Sequence, residues 1–312
     1  MQVLRGLPAQ ADRGCVLTIG NFDGVHRGHQ ALLRRLMEDA RARGLPARVL
    51  TFEPHPREFF APPEQRPPRL SSLREKLLLL ASCGVDAVHV CRFNAAFAAL
   101  SAREFVRLAV DALHPVHVLI GDDFRFGRNR AGSLAFLAQA GQVANFTVTP
   151  MHSVTDENGA RFSSSAIRAA LQKGELDVAA HHLGRPYTIA GRVSQGRRLG
   201  RTLGFATANI LLRYDVPALS GVFAVRVEGL GERLFDAVAN LGWRPTVQEF
   251  SRPCLETHLF DWQGDCYGRR LQVHFLHRLR AEHKFASLDA LKAQIARDAE
   301  DARQWLAAHP QV

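Results

Sequence analysis

The fold of this chain is decided by the stretch Gly20-Asn21-Phe22-Asp23-Gly24-Val25-His26-Arg27-Gly28-His29. Residues 16–19 before it are apolar and partly β-branched, which predicts a buried strand. After it, residues 30–43 carry apolar side chains at the spacing of one helix face, and Gly44 stands where a helix commonly ends. The stretch is therefore predicted to be a loop joining a strand to a helix, with both histidines where the helix begins.

The composition of this loop favours a phosphate-containing ligand. The first turn of a helix presents unpaired N–H groups and a partial positive charge, and both attract phosphate. Gly24 and Gly28 allow the backbone to approach a ligand closely, while His26 and His29 can donate hydrogen bonds to phosphate oxygens. A glycine-rich loop before a helix can also be no more than tight packing. Two histidines and three glycines within ten residues favour the nucleotide site.

The four residues His26-Arg27-Gly28-His29 resemble the HxGH signature of the α/β nucleotidyltransferase superfamily. Residues 20–29 as a whole are similar to the first domain of the bifunctional riboflavin kinase/FMN adenylyltransferase (FAD synthetase) family. This resemblance implies that His26 and His29 are catalytic. It also implies an ATP-binding role for the residues around them, which are Gly20, Asn21, Phe22, Asp23 and Gly28.

Length and composition limit the class of protein. The 312 residues favour two domains, and 46% hydrophobic with 22% charged residues is typical of globular proteins. The formal net charge of +10 suits ATP or nucleic acid, but its scatter along the chain argues against a nucleic-acid-binding surface. The five cysteines lack metal-binding spacing, and no run of 18 apolar residues occurs. We therefore expect a soluble, cytoplasmic protein with reduced cysteines.

Residues 1–184 are predicted to form a doubly wound α/β domain with a parallel sheet. Short apolar strands are predicted at 16–19, 48–52, 87–90, 116–120 and 146–149, with helices between them. Ser72 with Glu75, and Ser101 with Glu104, have the spacing of a capping box at a helix start. In such a sheet the ligand lies at the carboxyl ends of the strands, where the loop 20–29 begins.

A charged and aromatic segment follows the strand predicted at 116–120. It runs Gly121-Asp122-Asp123-Phe124-Arg125-Phe126-Gly127 and, standing alone, could equally be a solvated loop. Its aromatic rings could stack on a flat ring system. Beside the histidine loop it resembles the family motif Gly-x-Asp-Phe-x-Phe-Gly. This implies that Asp123 and Phe124, with Arg161, lie on the flavin or magnesium side of the site.

Residues 161–168 are similar to the family motif Ser-Ser-Thr-x-Ile-Arg, with Ser165 in place of the threonine. Serines at a helix start are often only caps, which is the ordinary alternative. The resemblance implies that Ser164, Ser165 and Arg168 bind ATP, and the serine keeps the hydroxyl that this role needs.

Residues 185–312 are predicted to form an antiparallel β-barrel domain. Stretches of period-2 alternation occur at 187–193, 222–227, 235–239, 255–260 and 271–276, separated by glycine-rich turns. An amphipathic helix is predicted from about Leu288, with Ser287 as its N-cap. We expect the barrel and this helix to form a core of their own.

Residues 191–209 form a second stretch whose composition suggests ligand binding. They are rich in glycine and arginine but lack the Gly-Lys-Ser/Thr ending of a Walker A loop, and glycines between barrel strands are the alternative. Thr207 and Asn209 alternate onto one side of the chain and offer oxygen atoms that suit Mg²⁺. The stretch resembles the riboflavin kinase motif Gly-x-x-x-Gly-Phe-Pro-Thr-Ala-Asn, with Ala206 where the family has proline. The resemblance implies ATP binding at Gly191, Gly196, Arg198 and Gly204.

Glu256 is the predicted base of the second domain. Glu256-Thr257-His258-Leu259 resembles a later family motif, as does Gly221-Val222-Phe223, in which phenylalanine replaces the family's tyrosine. A carboxylate beside bound Mg²⁺ and a substrate hydroxyl can accept the proton during phosphoryl transfer. An exposed glutamate on a strand is the ordinary alternative, and the resemblance favours the base.

The resemblance implies a bifunctional enzyme that phosphorylates riboflavin to FMN and adenylylates FMN to FAD. Mg²⁺ is the implied cofactor and ATP the co-substrate, with riboflavin, FMN and FAD as the other ligands. We expect no nucleic-acid or membrane partner, and the oligomeric state, a homo-oligomer included, is open. Two alternatives remain: a nucleotidyltransferase of the same fold with another acceptor, and a nucleic-acid-binding protein suggested only by charge.

Overall fold

The computed structural model describes residues 1–9, 13–194, 207–243 and 252–310. They belong to two units: Met1–Pro67 with Leu73–Ser163 form the first, and Pro68–Ser72 with Ser164–Val312 form the second. The first unit contains a parallel sheet and the second a closed barrel. The predicted order of the two folds along the chain is confirmed.

Within the described residues of the first unit, six parallel strands form one sheet. The strands are β1 (Gln2–Arg5), β2 (Cys15–Ile19), β3 (Ala47–Glu53), β4 (Ala87–Arg92), β5 (Pro115–Gly121) and β6 (Thr147–Met151). They pair in the order β1-β4-β3-β2-β5-β6. All residues of the central strand β2 are buried, as expected for an apolar strand covered on both faces.

Helices cover both faces of this sheet. They are α1 (Arg27–Arg43), α2 (Pro56–Phe60), α3 (Leu73–Ser82), α4 (Ala95–Ala98), α5 (Ala102–Leu113) and α6 (Leu134–Ala144), with 3-10 turns at Pro63–Gln65 and Arg128–Arg130. Leu33 of α1 and Leu80 of α3 belong to one apolar core. Phe105 of α5 and Leu137 of α6 belong to another. Alternate residues of β2 enter opposite cores, so the doubly wound fold is confirmed.

Two predicted helix ends in the first unit are confirmed. Gly44 closes α1 with a left-handed φ of 63°, and its N–H bonds back to the carbonyls of the last turn. Ser101 caps α5 through a complete capping box, in which its hydroxyl accepts from the Glu104 N–H and the Glu104 carboxylate accepts from the Ser101 N–H.

In the described part of the second unit, six antiparallel strands close into a barrel. They are β7 (Tyr187–Ser194), β8 (Ala208–Leu211), β9 (Gly221–Glu228), β10 (Phe235–Trp243), β11 (Pro253–Leu259) and β12 (Arg270–Arg280), in the closed order β10-β11-β8-β7-β12-β9. Every second residue of each strand enters one interior core, for example Val225, Leu255 and Val273. The intervening residues lie on the outer face of the barrel. The predicted barrel is confirmed.

The helix α9 (Leu288–Ala308) covers part of the outer face. The predicted cap is confirmed, because the Ser287 hydroxyl accepts from the Ala290 N–H at 3.1 Å. Ala302 and Leu306 pack against outer-face residues that include Val222 and Val238. The barrel therefore has two apolar layers, one inside it and one beneath α9.

A buried arginine fixes the end of α9. Arg226 on β9 is 7% exposed, and its Nη2 donates to the carbonyls of Leu306 at 3.3 Å and His309 at 2.8 Å. Its Nε donates to the Asp236 carboxylate at 3.0 Å. Carbonyls at a helix end lack partners within the helix, so Arg226 satisfies them and links the helix to the barrel.

Some strands differ from the prediction. β1 and β8 were not predicted as strands, and β6 begins one residue later and ends two residues later than the predicted 146–149. All four residues of β1 are exposed, so it carries no alternation of buried and exposed side chains. β8 is four residues long and overlaps the end of the stretch 191–209, which was interpreted as a ligand loop.

Two helices that precede the barrel in sequence share its core. They are α7 (Ser164–Lys173) and α8 (Leu176–Leu183), and Ile167, Leu171 and Leu183 belong to the same apolar cluster as the barrel interior. The predicted domain boundary after residue 184 would separate these helices from that core. The boundary at residue 184 stays a prediction. In the structure, residues 164–183 pack with the barrel.

A fragment that begins at residue 185 should therefore be much less stable than one that begins at residue 164. Ile167, Leu171 and Leu183 are at most 1% exposed, and loss of each such side chain costs roughly 2–5 kcal/mol. Their combined loss approaches the whole stability of a typical domain, about 5–15 kcal/mol. Thermal unfolding followed by circular dichroism would measure this difference. Equal melting temperatures for the two fragments would contradict it.

Candidate active sites

The loop between β2 and α1 is held in a strained conformation by the core. Phe22 and Val25 have left-handed φ values of 49° and 42°, which bulky side chains rarely adopt. Both are only 1% exposed, so their burial compensates for the strain. The Thr51 hydroxyl on β3 donates to the Asn21 carbonyl at 3.3 Å and ties the loop to the carboxyl end of the sheet.

The two predicted catalytic histidines lie together at the start of α1. His26 is the N-cap, and its Nδ1 accepts from the His29 N–H at 3.4 Å. Their rings stack with centroids 3.7 Å apart and planes 21° apart. A Cβ at position 28 would lie 3.2 Å from the His26 ring, so Gly28 makes room for this ring. Because His26 Nδ1 accepts a hydrogen bond, neutral His26 carries its proton on Nε2.

His29 is neutral at physiological pH. Burial lowers its pKa well below the usual histidine value, and the positive charges of His26 and Lys76 lower this pKa further. Its Nδ1 is buried and has no hydrogen-bond partner among the described residues. His29 therefore offers a neutral imidazole at a helix N-terminus, which suits hydrogen bonding to phosphate without proton transfer.

The other residues predicted for this site are only partly brought together. Gly20, Asn21, Phe22, Asp23 and Gly28 lie in or next to the same loop. The Phe22 side chain belongs to the core and contacts His29, with ring centroids 5.0 Å apart. Ser164, Ser165 and Arg168 belong to α7 in the second unit, where Arg168 Nε donates to the Pro68 carbonyl at 2.6 Å. Their role in ATP binding stays a prediction.

Two of the residues predicted on the flavin or magnesium side form an ion pair. Arg161 Nη2 donates to the Asp123 carboxylate at 2.7 Å, although the two residues are 38 positions apart in sequence. Both side chains are substantially exposed, so the pair contributes little to stability and is accessible to a ligand. Phe124, next to Asp123, stacks on Phe126 with centroids 5.5 Å apart.

An aromatic cluster reaches the surface of the same unit. It connects Phe126 through Phe105 and Phe97 to Phe93, with neighbouring centroids 5.3 to 6.0 Å apart. Phe93 in turn contacts Phe60, which is 67% exposed at the end of α2. A large aromatic ring that is exposed beside buried ones can stack on a flat ligand. Phe60 was not among the predicted site residues.

In the second unit, three polar residues lie side by side on neighbouring strands. Glu256 on β11 is paired in register with Asn209 on β8 and with Asn240 on β10. The flanking residues of all three enter the barrel interior, so these side chains lie on the outer face. We call them the outer-face polar row. It places the predicted base next to one of the predicted metal ligands.

The predicted metal ligands are close to each other. Asn209 Nδ2 donates to the Thr207 carbonyl at 3.2 Å, and the Cys254 thiol lies 3.9 Å from Asn209 Oδ1. Gly191 lies in β7, where a Cβ would overlap the side chain of Ile210, so packing alone explains this glycine. Gly196, Arg198, Gly204 and Ala206 lie outside the described residues. The proposed ATP contacts of the kinase stay predictions.

Comparison with known proteins identifies both units. Residues 9–166 match the family model described as FAD synthetase, and residues 183–306 match the model described as riboflavin kinase. The chain belongs to the bifunctional riboflavin kinase/FMN adenylyltransferase family. Proteins of this name from Escherichia coli K12 and Pseudomonas fluorescens are 50% and 48% identical to it, over 98% and 97% of each chain. The family predicted from the sequence is confirmed.

A solved structure supports the fold of this family member. A protein from Streptococcus pneumoniae described as a macrolide-efflux protein has a TM-score of 0.80 and 30% identity, and the match covers 98% of this chain and 100% of the other. In the described part of the present chain, no helix is both long and apolar enough to cross a membrane.

Lys76, near the histidine pair, was also missed by sequence reasoning. It is buried on α3, and its charge lowers the pKa of His29. A signal for it existed, because Lys76 occupies the apolar side of its helix, three residues after Leu73 and four before Leu80. The sequence assigned no role to Asn240, which strand register places in the outer-face polar row.

Proposed function

We propose that this chain makes FAD from riboflavin in two ATP-dependent steps, one in each unit. The observation that carries the proposal is that separate segments match an FAD synthetase model and a riboflavin kinase model. His26 and His29 lie in the first segment, and Asn209 and Glu256 lie in the second. Each segment therefore has its own group of polar residues suited to ATP chemistry.

In the first unit, a phosphate oxygen of FMN attacks the α-phosphorus of ATP. The bond from this phosphorus to the oxygen that bridges to the β-phosphorus breaks, so pyrophosphate leaves and FAD forms. His26, His29 and the N–H groups at the start of α1 stabilise the charge of the triphosphate. The attacking phosphate is already deprotonated, so catalysis in this unit is electrostatic and needs no protein nucleophile.

We assign the flavin side of this site to Asp123, Phe124 and Arg161. The exposed ion pair between Asp123 and Arg161 offers both a carboxylate and a guanidinium to polar groups of FMN. Phe124 and the exposed ring of Phe60 offer aromatic faces on which an isoalloxazine ring can stack.

In the second unit, the terminal hydroxyl of the riboflavin ribityl chain attacks the γ-phosphorus of ATP. The bond between this phosphorus and the β–γ bridging oxygen breaks, and ADP leaves. We assign the acceptance of the hydroxyl proton to Glu256, which is half-buried on the outer face of the barrel and paired in register with Asn209.

The residues around Glu256 fit Mg²⁺. Thr207 and Asn209 provide a hydroxyl and an amide oxygen, which are the hard donors that this ion prefers. In kinases Mg²⁺ takes one or two protein ligands and completes its shell with phosphates and water. It therefore needs no cluster of three acidic or histidine side chains, and the described residues contain none. When bound, the ion would neutralise charge on the ATP phosphates.

We infer that the enzyme works in the cytoplasm. All five cysteines lie within the described residues and are free thiols, which is typical of a reducing compartment. Riboflavin, FMN, FAD and ATP are the ligands that the two steps require. Neither step requires a nucleic acid or a membrane.

Incubation of the purified protein with riboflavin, ATP and Mg²⁺ tests the proposal directly. We expect FMN to appear first and FAD later, which separation of the flavins at successive times would measure. Conversion of riboflavin to FMN without further conversion of supplied FMN would favour another acceptor for the first unit. Steeply salt-dependent binding to duplex DNA or RNA, without either product, would favour the nucleic-acid alternative.

A further inference from the structure

Lys76 is an unusual residue in this chain. Lysine and arginine together number 40, yet only four of these residues are lysines. Lys173, Lys284 and Lys292 are exposed, whereas Lys76 is 4% exposed. Burial of an ammonium group is costly in free energy, and lysine is rarely found fully buried. A buried lysine in a chain that otherwise uses arginine therefore calls for a specific explanation.

The topology places Lys76 at the same edge of the sheet as the histidine pair. α1 follows β2 and α3 follows β3, and each helix leads on toward another parallel strand. Both helices therefore begin at the carboxyl edge, where ligands of such sheets bind. His29 lies in the first turn of α1 and Lys76 in the first turn of α3. Leu33 of α1 and Leu80 of α3 belong to one apolar core, so both helices cover the same face of the sheet.

The charge of Lys76 acts on His29. It lowers the pKa of His29, in addition to the larger effects of burial and of His26. Lys76 also has polar partners of its own in the protein, so it is not an isolated charge. These partners leave two explanations, a structural ion pair and a ligand-binding ammonium.

We propose that Lys76 binds the triphosphate of ATP beside His29 in the adenylyltransferase site. This inference rests on the proposed function of the first unit. The ammonium of Lys76 adds a permanent positive charge and up to three hydrogen-bond donors to those that the histidine pair offers to phosphate. Lys76 keeps its proton throughout, while the bond from FMN to the α-phosphorus forms and the bond to pyrophosphate breaks.

The variant Lys76→Met, which keeps the length of the side chain but removes its charge, tests this role. We expect KM for ATP and the inhibition constant for inorganic pyrophosphate to rise about 10- to 100-fold, the range for a lost charge-assisted hydrogen bond. KM for FMN should stay within about twofold, because the flavin side does not use this charge. Lys292→Met, which removes an exposed lysine, is the matched control and should change none of the three constants.

The outcomes separate the two explanations. If Lys76 only forms a structural ion pair, Lys76→Met should lower the thermal stability. KM for ATP and KM for FMN should then rise in parallel, or neither should change. Either result would overturn the proposal. If Lys76→Met does not fold, Lys76→Gln, which retains a polar side chain, is subjected to the same measurements. If the wild type makes no FAD, the proposed function fails. Calorimetric titration of wild type and Lys76→Gln with pyrophosphate and Mg²⁺ then decides on Lys76 by itself.

Discussion

Replacement of Glu256 by glutamine should reduce riboflavin phosphorylation by about 10²-fold or more, the range expected for loss of a general base. An amide keeps the size of the side chain but does not accept the proton of the ribityl hydroxyl. Conversion of supplied FMN to FAD should be nearly unchanged, because the histidine pair belongs to the other unit. Steady-state rates of both half-reactions, measured on one preparation of the variant, provide the comparison.

The structure offers a matched control for this experiment. Glu228 on β9 is also a barrel glutamate, but it bonds to Gln272 and lies outside the outer-face polar row. Glu228→Gln should therefore leave the kinase rate within a few-fold of wild type. A similar rate for Glu256→Gln would remove Glu256 from the mechanism, and simultaneous loss of adenylylation would indicate misfolding.

Replacement of His29 by alanine should stop FAD formation while FMN accumulates. The His29 ring stacks on His26 and contacts Phe22. Its loss therefore removes one hydrogen-bond donor to phosphate and the ring that packs against His26. Loss of a single preorganised donor to a developing charge lowers the rate by about 10²- to 10³-fold. Chromatography of reactions started with riboflavin would show the accumulated FMN, because the kinase step does not use His29.

A histidine elsewhere in the first unit serves as the control. His114 is an exposed residue at the end of α5 with a left-handed φ of 47°, which asparagine tolerates. His114→Asn should leave both products unchanged. If His29→Ala lowered FMN and FAD equally in a folded protein, the two reactions would not be separable by unit.

Much of the fold could be predicted because its strands and helices have the periodicity of buried elements. The β2 strand, the first loop and α1 were located from apolar spacing, two histidines and Gly44. β1 could not be located in this way, because hydrogen bonds to β4 rather than burial of its side chains hold it in the sheet. β8 was missed because it begins within the glycine- and arginine-rich stretch 191–209, which was interpreted as a ligand loop.

Some residues of the candidate sites could likewise be predicted from the sequence, and others could not. Residues that are adjacent in a motif, such as His26 and His29, could be found from spacing alone. Asp123 and Arg161 were assigned to one side of the site only through the family resemblance, and their ion pair was not predicted, since 38 positions separate them. Helix packing determines the position of Lys76, and strand register determines that of Asn240. Neither can be read from a single sequence. The strained backbone of Phe22 and Val25 was likewise invisible, because burial rather than local propensity holds it.

The anchoring of α9 by Arg226 has a consequence for synthesis on the ribosome. All barrel strands are translated before this helix, so the apolar residues beneath it, such as Val222 and Val238, stay uncovered until it emerges. The guanidinium of Arg226 meets its last carbonyl partner only when His309 has been added. During this interval the uncovered apolar surface of the flavin-phosphorylating half is open to premature association and to chaperones that bind such surface.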